Sequence, residues 1–221
     1  MKLFISDLHM GSPLFKKKME IVELFNSPNI EDIYILGDII DRLEKSLNKI
    51  VVENKFLIDT INDCGKVRVV VKGNHDPDIE KMREIFHNVL VTDKLEIELF
   101  GKKTILIHGD ETDVSVGWSK FFFIFHYFSE RLGFNLKGWV RDTAHNMSMR
   151  RQKLNYNSLV FEAEKKLYEK YCGTYRIIIS GHTHLPKVVR LPEADYLNCG
   201  CIVHNPSYLI ADLNTITLKR F

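Results

Sequence analysis

Five short motifs carry residue types that bind and use metal ions. They are Asp7-Leu8-His9, Gly37-Asp38-Ile39-Ile40-Asp41-Arg42, Gly73-Asn74-His75-Asp76, His108-Gly109-Asp110 and Gly181-His182-Thr183-His184. On an extended chain, side chains two residues apart leave on the same side. Asp7 and His9 can therefore reach one ion, and His182 and His184 share that geometry. Carboxylate oxygens beside neutral imidazoles suit Mn, Fe, Zn or Co better than Mg or Ca, which prefer all-oxygen shells. Asp38, with two oxygens, is the natural bridge between two cations. Gly37, Gly73 and Gly181 let the backbone turn beside an ion without a Cβ clash. Each motif alone is weak, because an Asp after a strand usually caps a turn and a lone His is ordinarily structural. Together they are strong: five of the nine histidines lie in them, each just after a β-like run.

Those runs define the elements that must position the motifs. Leu3-Phe4-Ile5, Ile33-Tyr34-Ile35-Leu36 and Val67-Arg68-Val69-Val70-Val71 read as buried strands ending in polar loops. Between them, Pro13 to Phe25 and Arg42 to Asp63 have helical spacing, with Ser12-Pro13 as N-cap and first turn and Gly65 as a stop. This is the α/β pattern, in which chemistry gathers beyond the strand carboxyl ends. Leu95–Leu99 and Thr104–Ile107, joined across Gly101-Lys102-Lys103, read as a hairpin. Arg176–Ile179, Lys187–Leu191 and Tyr208–Ala211 suggest a second, more antiparallel sheet.

The 221 residues suit one domain with an insertion, and 31 basic against 29 acidic residues give no global pull toward nucleic acid. Cys64, Cys172, Cys199 and Cys201 lack CxxC spacing, so neither a zinc ribbon nor a disulfide framework is expected, and a reducing compartment fits. The opening apolar run is too short for a secretory leader. Phe121–Phe125, the longest later run, falls far below the roughly 18 residues of a membrane span. A cytoplasmic protein is expected. Residues 114–160 hold both tryptophans and ten of the 24 aromatics, with seven basic and two acidic residues. They read as a helical, lid-like insertion in a single domain spanning residues 1–221.

In their order, DxH, GDxxD, GNHD, His-Gly and GHTH resemble the calcineurin-like binuclear metallophosphoesterases, from Asp7 to His184. The resemblance implies a four-layer α/β/β/α metallophosphoesterase sandwich with metal ligands on loops at one edge. It assigns Asp7, His9, Asp38 and His184 to one divalent ion, and Asp38, Asn74, His108 and His182 to a second. Mn2+ is the leading choice, with Fe, Zn and Co also compatible. Two such ions, about 3.5–4 Å apart, would orient a water for in-line attack on phosphorus. They would also offset charge developing in the transition state. His75 is not among the implied ligands and would donate a proton to the leaving-group oxygen. Asp41 would orient and stabilise that imidazole when protonated. Arg42 completes GDxxDR and would fork onto a phosphate, or stand as a surface arginine at a helix start. These two readings carry equal weight. Asp76 and Asp110 read as loop-stabilising.

The substrate must be decided by the insertion. HGD, a helical insertion and GHTH followed by Leu185-Pro186 resemble the UDP-2,3-diacylglucosamine pyrophosphohydrolases, which release UMP and a lipid sugar phosphate. Well-known members of that family carry Arg where this chain has His75. On this reading the insertion buries acyl chains and touches a membrane peripherally; the alternative is a helical hairpin that packs its aromatics on the core. A small nuclease or cyclic-nucleotide phosphodiesterase would use the same ions. Arg141, Arg150, Arg151 and Lys153 would then track phosphates, with Trp139 and Tyr156 stacking on bases. A protein phosphatase is a further alternative. A non-catalytic scaffold is the last, although that route normally loses ligands or the catalytic His, and all are present here. No obligate protein partner is evident from the sequence.

Overall fold

Eleven strands pair into two sheets in the computed structural model, which describes residues 1–42, 45–113, 159 and 162–221. The first sheet contains β1 (Lys2–Ile5), β2 (Asp32–Leu36), β3 (Val67–Val71), β4 (Leu90–Thr92), β10 (Ser207–Asp212) and β11 (Thr215–Arg220). Its order is β11-β10-β1-β2-β3-β4. The second contains β5 (Lys94–Leu99), β6 (Lys102–Ile107), β7 (Ile177–Ser180), β8 (Lys187–Arg190) and β9 (Asp195–Asn198), in the order β5-β6-β7-β9-β8.

Period-two burial turns these sheets into layers. Phe4, Tyr34 and Leu36 point from the first sheet into a shared core with Leu106, Ile177, Ile179 and Leu197 of the second. Leu3, Ile5, Ile33 and Ile35 point the other way. They pack under α1 (Lys18–Asn26), α2 (Leu47–Glu53), α3 (Lys55–Asp63) and α4 (Ile79–Ile85), through residues such as Phe25, Ile50, Leu57 and Met82. Ile105, Ile107 and Ile178 pack under α5 (Glu162–Tyr171) through Leu167 and Tyr171. The result is the four-layer α/β/β/α sandwich, and each such buried side chain contributes roughly 1.5–3 kcal/mol. Arg68 is an extra residue between Val67 and Val69, which pair with Ile33 and Tyr34. This bulge places Val67 and Val70 on the helix side while Val69 and Val71 face the other sheet.

The elements depart from the expected ones in four places. The first helix starts at Lys18, not Pro13: Ser12 Oγ accepts from Leu14 N at 3.2 Å, closing a turn. Lys16, Lys17 and Lys18 would also oppose the positive end of a helix dipole. The single helix expected over Arg42–Asp63 is two, broken at Asn54, whose Nδ2 donates to Ile50 O at 2.8 Å. The hairpin turn is Phe100-Gly101, both at positive φ, so Lys102 and Lys103 belong to β6. Finally, β10 lies beside β1 in the first sheet, and β7 runs parallel to both β6 and β9. The insertion expected at 114–160 lies outside the described residues apart from Leu159, which packs against the α5 core. No described helix is long and apolar enough to cross a membrane.

Candidate metal centre

Because β1, β2 and β3 run parallel, their carboxyl ends open on one edge. The loops leaving them carry Asp7 and His9, Asp38 and Asp41, and Asn74 and His75. The parallel pair β6 and β7 delivers His108, His182 and His184. Backbone hydrogen bonds join these loops: Asp7 N to Gly37 O, His9 N to Asp38 O, and Gly181 N to His108 O, at 2.9, 2.9 and 3.0 Å. Asp7, His9, Asp38, His182 and His184 all have left-handed backbone, with φ of 53, 50, 51, 65 and 57°. The donor pairs are therefore not on extended chain, as the two-residue spacing suggested. Asp and His tolerate this region better than most residues, and neighbours must hold it in place.

Each pair converges nonetheless. Asp7, His9 and His184 offer donor atoms within 4.8 Å of one another, as do Asp38, His108 and His182. In the first group, Asp7 Oδ1 lies 3.0 Å from His184 Nε2 and 3.8 Å from His9 Nε2. In the second, Asp38 Oδ2 is 3.3 Å from His108 Nε2, and Asn74 Oδ1 is 3.3 Å from the same nitrogen. The His108 Nδ1–H donates to Leu36 O at 2.9 Å, which leaves its Nε2 facing Asp38. All seven residues assigned by motif thus meet at one edge of the sandwich.

Asp41 sits just behind them. Its Oδ2 is 3.3 Å from His9 Nδ1, and its Oδ1 is 3.6 Å from His75 Nδ1. His75 Nε2 lies 4.0 Å from Asp38 Oδ2. Arg42 is exposed, and among the described residues no hydrogen bond or ion pair joins it to the cluster. Asp76 accepts from Ile40 N and Gly73 N, both at 2.8 Å, and so ties two of the loops together. Asp110 opens a 3₁₀ turn, Asp110–Thr112.

The electrostatics ask for positive charge. Burial disfavours imidazolium, yet Asp38 overrides it at His108, pushed up to about 10. At His75, Asp38 and Asp41 overcome burial and push the imidazole up to about 9. Burial, then the Asp38 carboxylate, raises Asp76 to about 7. Asp7 Oδ1 is buried without a hydrogen bond of normal geometry, although the imidazoles of His9 and His184 crowd it. The Nε2 atoms of His9 and His184 approach to 3.2 Å. Lone pairs facing each other at that distance need a proton or a cation between them. Oxygen and nitrogen donors in this ratio fit divalent transition ions.

Close approach makes all three motif glycines obligatory: a Cβ at Gly37, which has φ of 85°, would strike the His108 ring. A Cβ at Gly73 would strike the Asp38 carboxylate, and one at Gly181 would strike Asp7 and Ser6. Gly73→Ala is expected to cost roughly 1–3 kcal/mol. It should also blunt the rise in Tm on adding Mn2+, a pairing that calorimetry with and without the ion would check.

Two residues escaped the motif reading. Asp113 Oδ2 lies 2.9 Å from His182 Nε2, and the His204 ring centroid is 5.9 Å from that of His184. The acidic run Asp110-Glu111-Thr112-Asp113 was the one available signal for the first. His204 follows a strand-poor stretch and carried none.

Comparison with known proteins follows the same lines. The family described as calcineurin-like phosphoesterase matches residues 3–186. UDP-2,3-diacylglucosamine hydrolase of Vibrio parahaemolyticus is 25% identical over 83% of this chain and 81% of its own length. The hydrolase of the same name from Psychromonas ingrahamii is 25% identical over 98% and 95%. Among solved structures, an archaeal phosphodiesterase superposes with a TM-score of 0.55 at 16% identity, covering 100% of this chain and 99% of that one. Zinc-bound Vps29 of Entamoeba histolytica gives 0.54 at 14%, covering 100% and 97%.

Proposed function

This chain belongs to the calcineurin-like phosphoesterase family, and on that premise we propose a dinuclear hydrolase acting on a phosphodiester or pyrophosphate bond. That it is a metal-binding phosphoester hydrolase follows from the family; the number of ions, the substrate and the residue roles are our reading. The observation that carries it is the convergence of seven donors from five loops, with Asp41 and His75 immediately behind them. Asp7, His9, Asp38 and His184 hold one cation, and Asp38, Asn74, His108 and His182 the other. Mn2+ is favoured, and Fe, Zn or Co fit the same donors. When bound, such ions supply Lewis acidity and lower the pKa of water. The chain's own part is then positional and acid–base. Asp38 offers one carboxylate to both groups, and Asp41 holds His75 by Nδ1. His75 directs Nε2 toward the cluster, where it donates a proton to the departing oxygen. Arg42, exposed beside Asp41, is available to an incoming phosphate.

For the substrate we favour a UDP-diacylglucosamine-like lipid sugar nucleotide. Relatives at 22–25% identity, matched over 81–95% of their lengths, carry that hydrolase's name. The aromatic and basic composition of 114–160, outside the described residues, suits an acyl-binding insertion in one continuous domain, with peripheral membrane contact. All four cysteines are free, which suits a cytoplasmic location. Nucleotide or nucleic-acid phosphodiesters are the second reading, favoured by Arg141, Arg150, Arg151 and Lys153.

The deciding assay is Mn2+-dependent hydrolysis of UDP-2,3-diacylglucosamine beside the unacylated UDP-sugar, with products identified by phosphorus NMR. We expect UMP from the acylated compound at a much higher rate, and none after EDTA. Turnover of a generic phosphodiester with neither UDP compound cleaved would reject the lipid reading and leave the hydrolase.

A further inference from the structure

The backbone at His182 and His184 is left-handed on both sides of Thr183. Each such residue costs about 1–2 kcal/mol in isolation, so the loop must be fixed from outside. Part of that hold comes from the first sheet, where His182 N donates to Asp7 Oδ2 at 3.1 Å. The rest is a buried polar network. Thr183 Oγ1 donates to Glu164 Oε1 at 2.9 Å and accepts from Asn198 Nδ2 at 3.2 Å. Asn198 Nδ2 also donates to Gly181 O and lies 3.4 Å from Ser180 Oγ. Glu164 Oε2 accepts from Lys187 Nζ at 2.8 Å, and both side chains are 0% exposed.

An ion pair taken wholly out of water is a poor source of stability, since desolvation offsets the attraction and apolar residues of similar size do as well. Here it does something an apolar pair cannot: it presents a fixed carboxylate to the hydroxyl between the two histidines. Glu164 stands in the first turn of α5. That turn is tied back to the loop after His108, since Thr112 Oγ1 donates to Ala163 O at 2.9 Å. Glu111 accepts from Tyr171 and Lys170 on the same helix, both at 2.8 Å. The carboxylate thus links the placement of α5 to the backbone of His182 and His184.

We propose that Glu164, neutralised by Lys187, is a positioning residue: through Thr183 it holds His182 and His184 in the geometry that binds the ions. This rests on the dinuclear reading above. Changing Glu164 alone would remove the carboxylate beside a buried ammonium, so the test uses paired changes. Glu164→Leu/Lys187→Met keeps the volume and removes the acceptor for Thr183. Glu164→Gln/Lys187→Met keeps an acceptor oxygen. Thr183→Val removes the hydroxyl and leaves the ion pair in place, so it tests the link even if a double variant folds poorly.

Mn2+ titration of each folded protein, followed by electron paramagnetic resonance of the free ion, counts the ions and their affinities. Altered outer partners of metal ligands typically cost about 10–100-fold in affinity. We expect a loss of that size for at least one ion in Glu164→Leu/Lys187→Met and Thr183→Val. Glu164→Gln/Lys187→Met should stay within about threefold of wild type. Wild-type affinities in both of the first two, even with a lowered Tm, would make the network merely structural and overturn the proposal. Equal weakening in the Gln and Leu doubles would also overturn it, because the hydrogen bond would not be what matters. A wild-type protein that binds one ion would instead sink the dinuclear reading, and the proposal with it.

Discussion

His75→Ala is expected to lower kcat by roughly 10²–10⁴-fold, the usual contribution of a positioned acid, while both ions still bind. The separation is the point of the experiment. His75 contributes no donor to either of the two motif-assigned ligand groups, and its ring nitrogens lie 3.6 Å from Asp41 Oδ1 and 4.0 Å from Asp38 Oδ2. Its ring meets His9 edge-on, with centroids 5.1 Å apart, but it is the His9 Nε2 that faces Asp7. The side chain is 24% exposed, so truncation opens the site to water and leaves the core untouched. Asp38 and Asp41 favour its protonated form against burial, which is the form an acid must have. Steady-state kinetics beside an Mn2+ titration decide the matter. Loss of turnover with unchanged ion affinity assigns the proton to His75. Unchanged turnover would remove it from the chemistry, and a scaffold reading would then gain ground.

The chemistry was more legible in the sequence than its support. Short apolar runs such as Leu3-Phe4-Ile5 and Ile33–Leu36 are buried on both faces, so they stand out by composition, and the motifs follow directly behind them. The position of β10 was not legible, because Tyr208–Ala211 is apolar enough for either sheet and only pairing with β1 decides. Helix limits failed for a related reason: the break at Asn54 depends on one side chain taking the carbonyl of Ile50. The left-handed backbone at five donor residues leaves no periodic trace, since it is enforced by contacts between loops. Glu164 and Lys187 look like ordinary solvent-facing residues until α5 is docked. Asp113 meets His182 from 69 residues away, and a separation of that kind is set by the fold alone.

Asp38→Asn should have the broader consequence, reaching both turnover and ion binding, because Asp38 is the one side chain the proposed scheme gives to both ions. Its Oδ2 faces His108, while its Oδ1 accepts from the backbone N of His75 at 2.8 Å. An amide keeps one acceptor oxygen and loses the charge. Divalent-ion catalysis supplies several kcal/mol of charge stabilisation, so a loss of about 4 kcal/mol, roughly 10³-fold in kcat/KM, is expected. Metal-free stability should hardly move. Asp38 is buried, and its like charge works against ionisation at Asp7 and Asp76: burial and Asp38 together raise Asp76, whereas His184 still holds Asp7 below its ordinary value. Neutralising it relieves that repulsion while weakening the hold on His108 and His75, so the metal-free Tm should change little. An ion at 100 times its Kd stabilises by about 2.7 kcal/mol, and for a chain of this length each kcal/mol moves Tm by roughly 2–4 °C. The wild-type protein should therefore gain roughly 5–10 °C for each ion bound on adding Mn2+, and Asp38→Asn should gain little of it. Thermal melts with and without the ion read this directly. A full Mn2+-induced rise in Asp38→Asn would mean that the ions bind elsewhere, whereas a collapse of the metal-free Tm would make Asp38 a structural anchor before it is a ligand. The expected pattern, an intact fold that has lost its response to the ion, is what a residue kept for chemistry and not for folding would show.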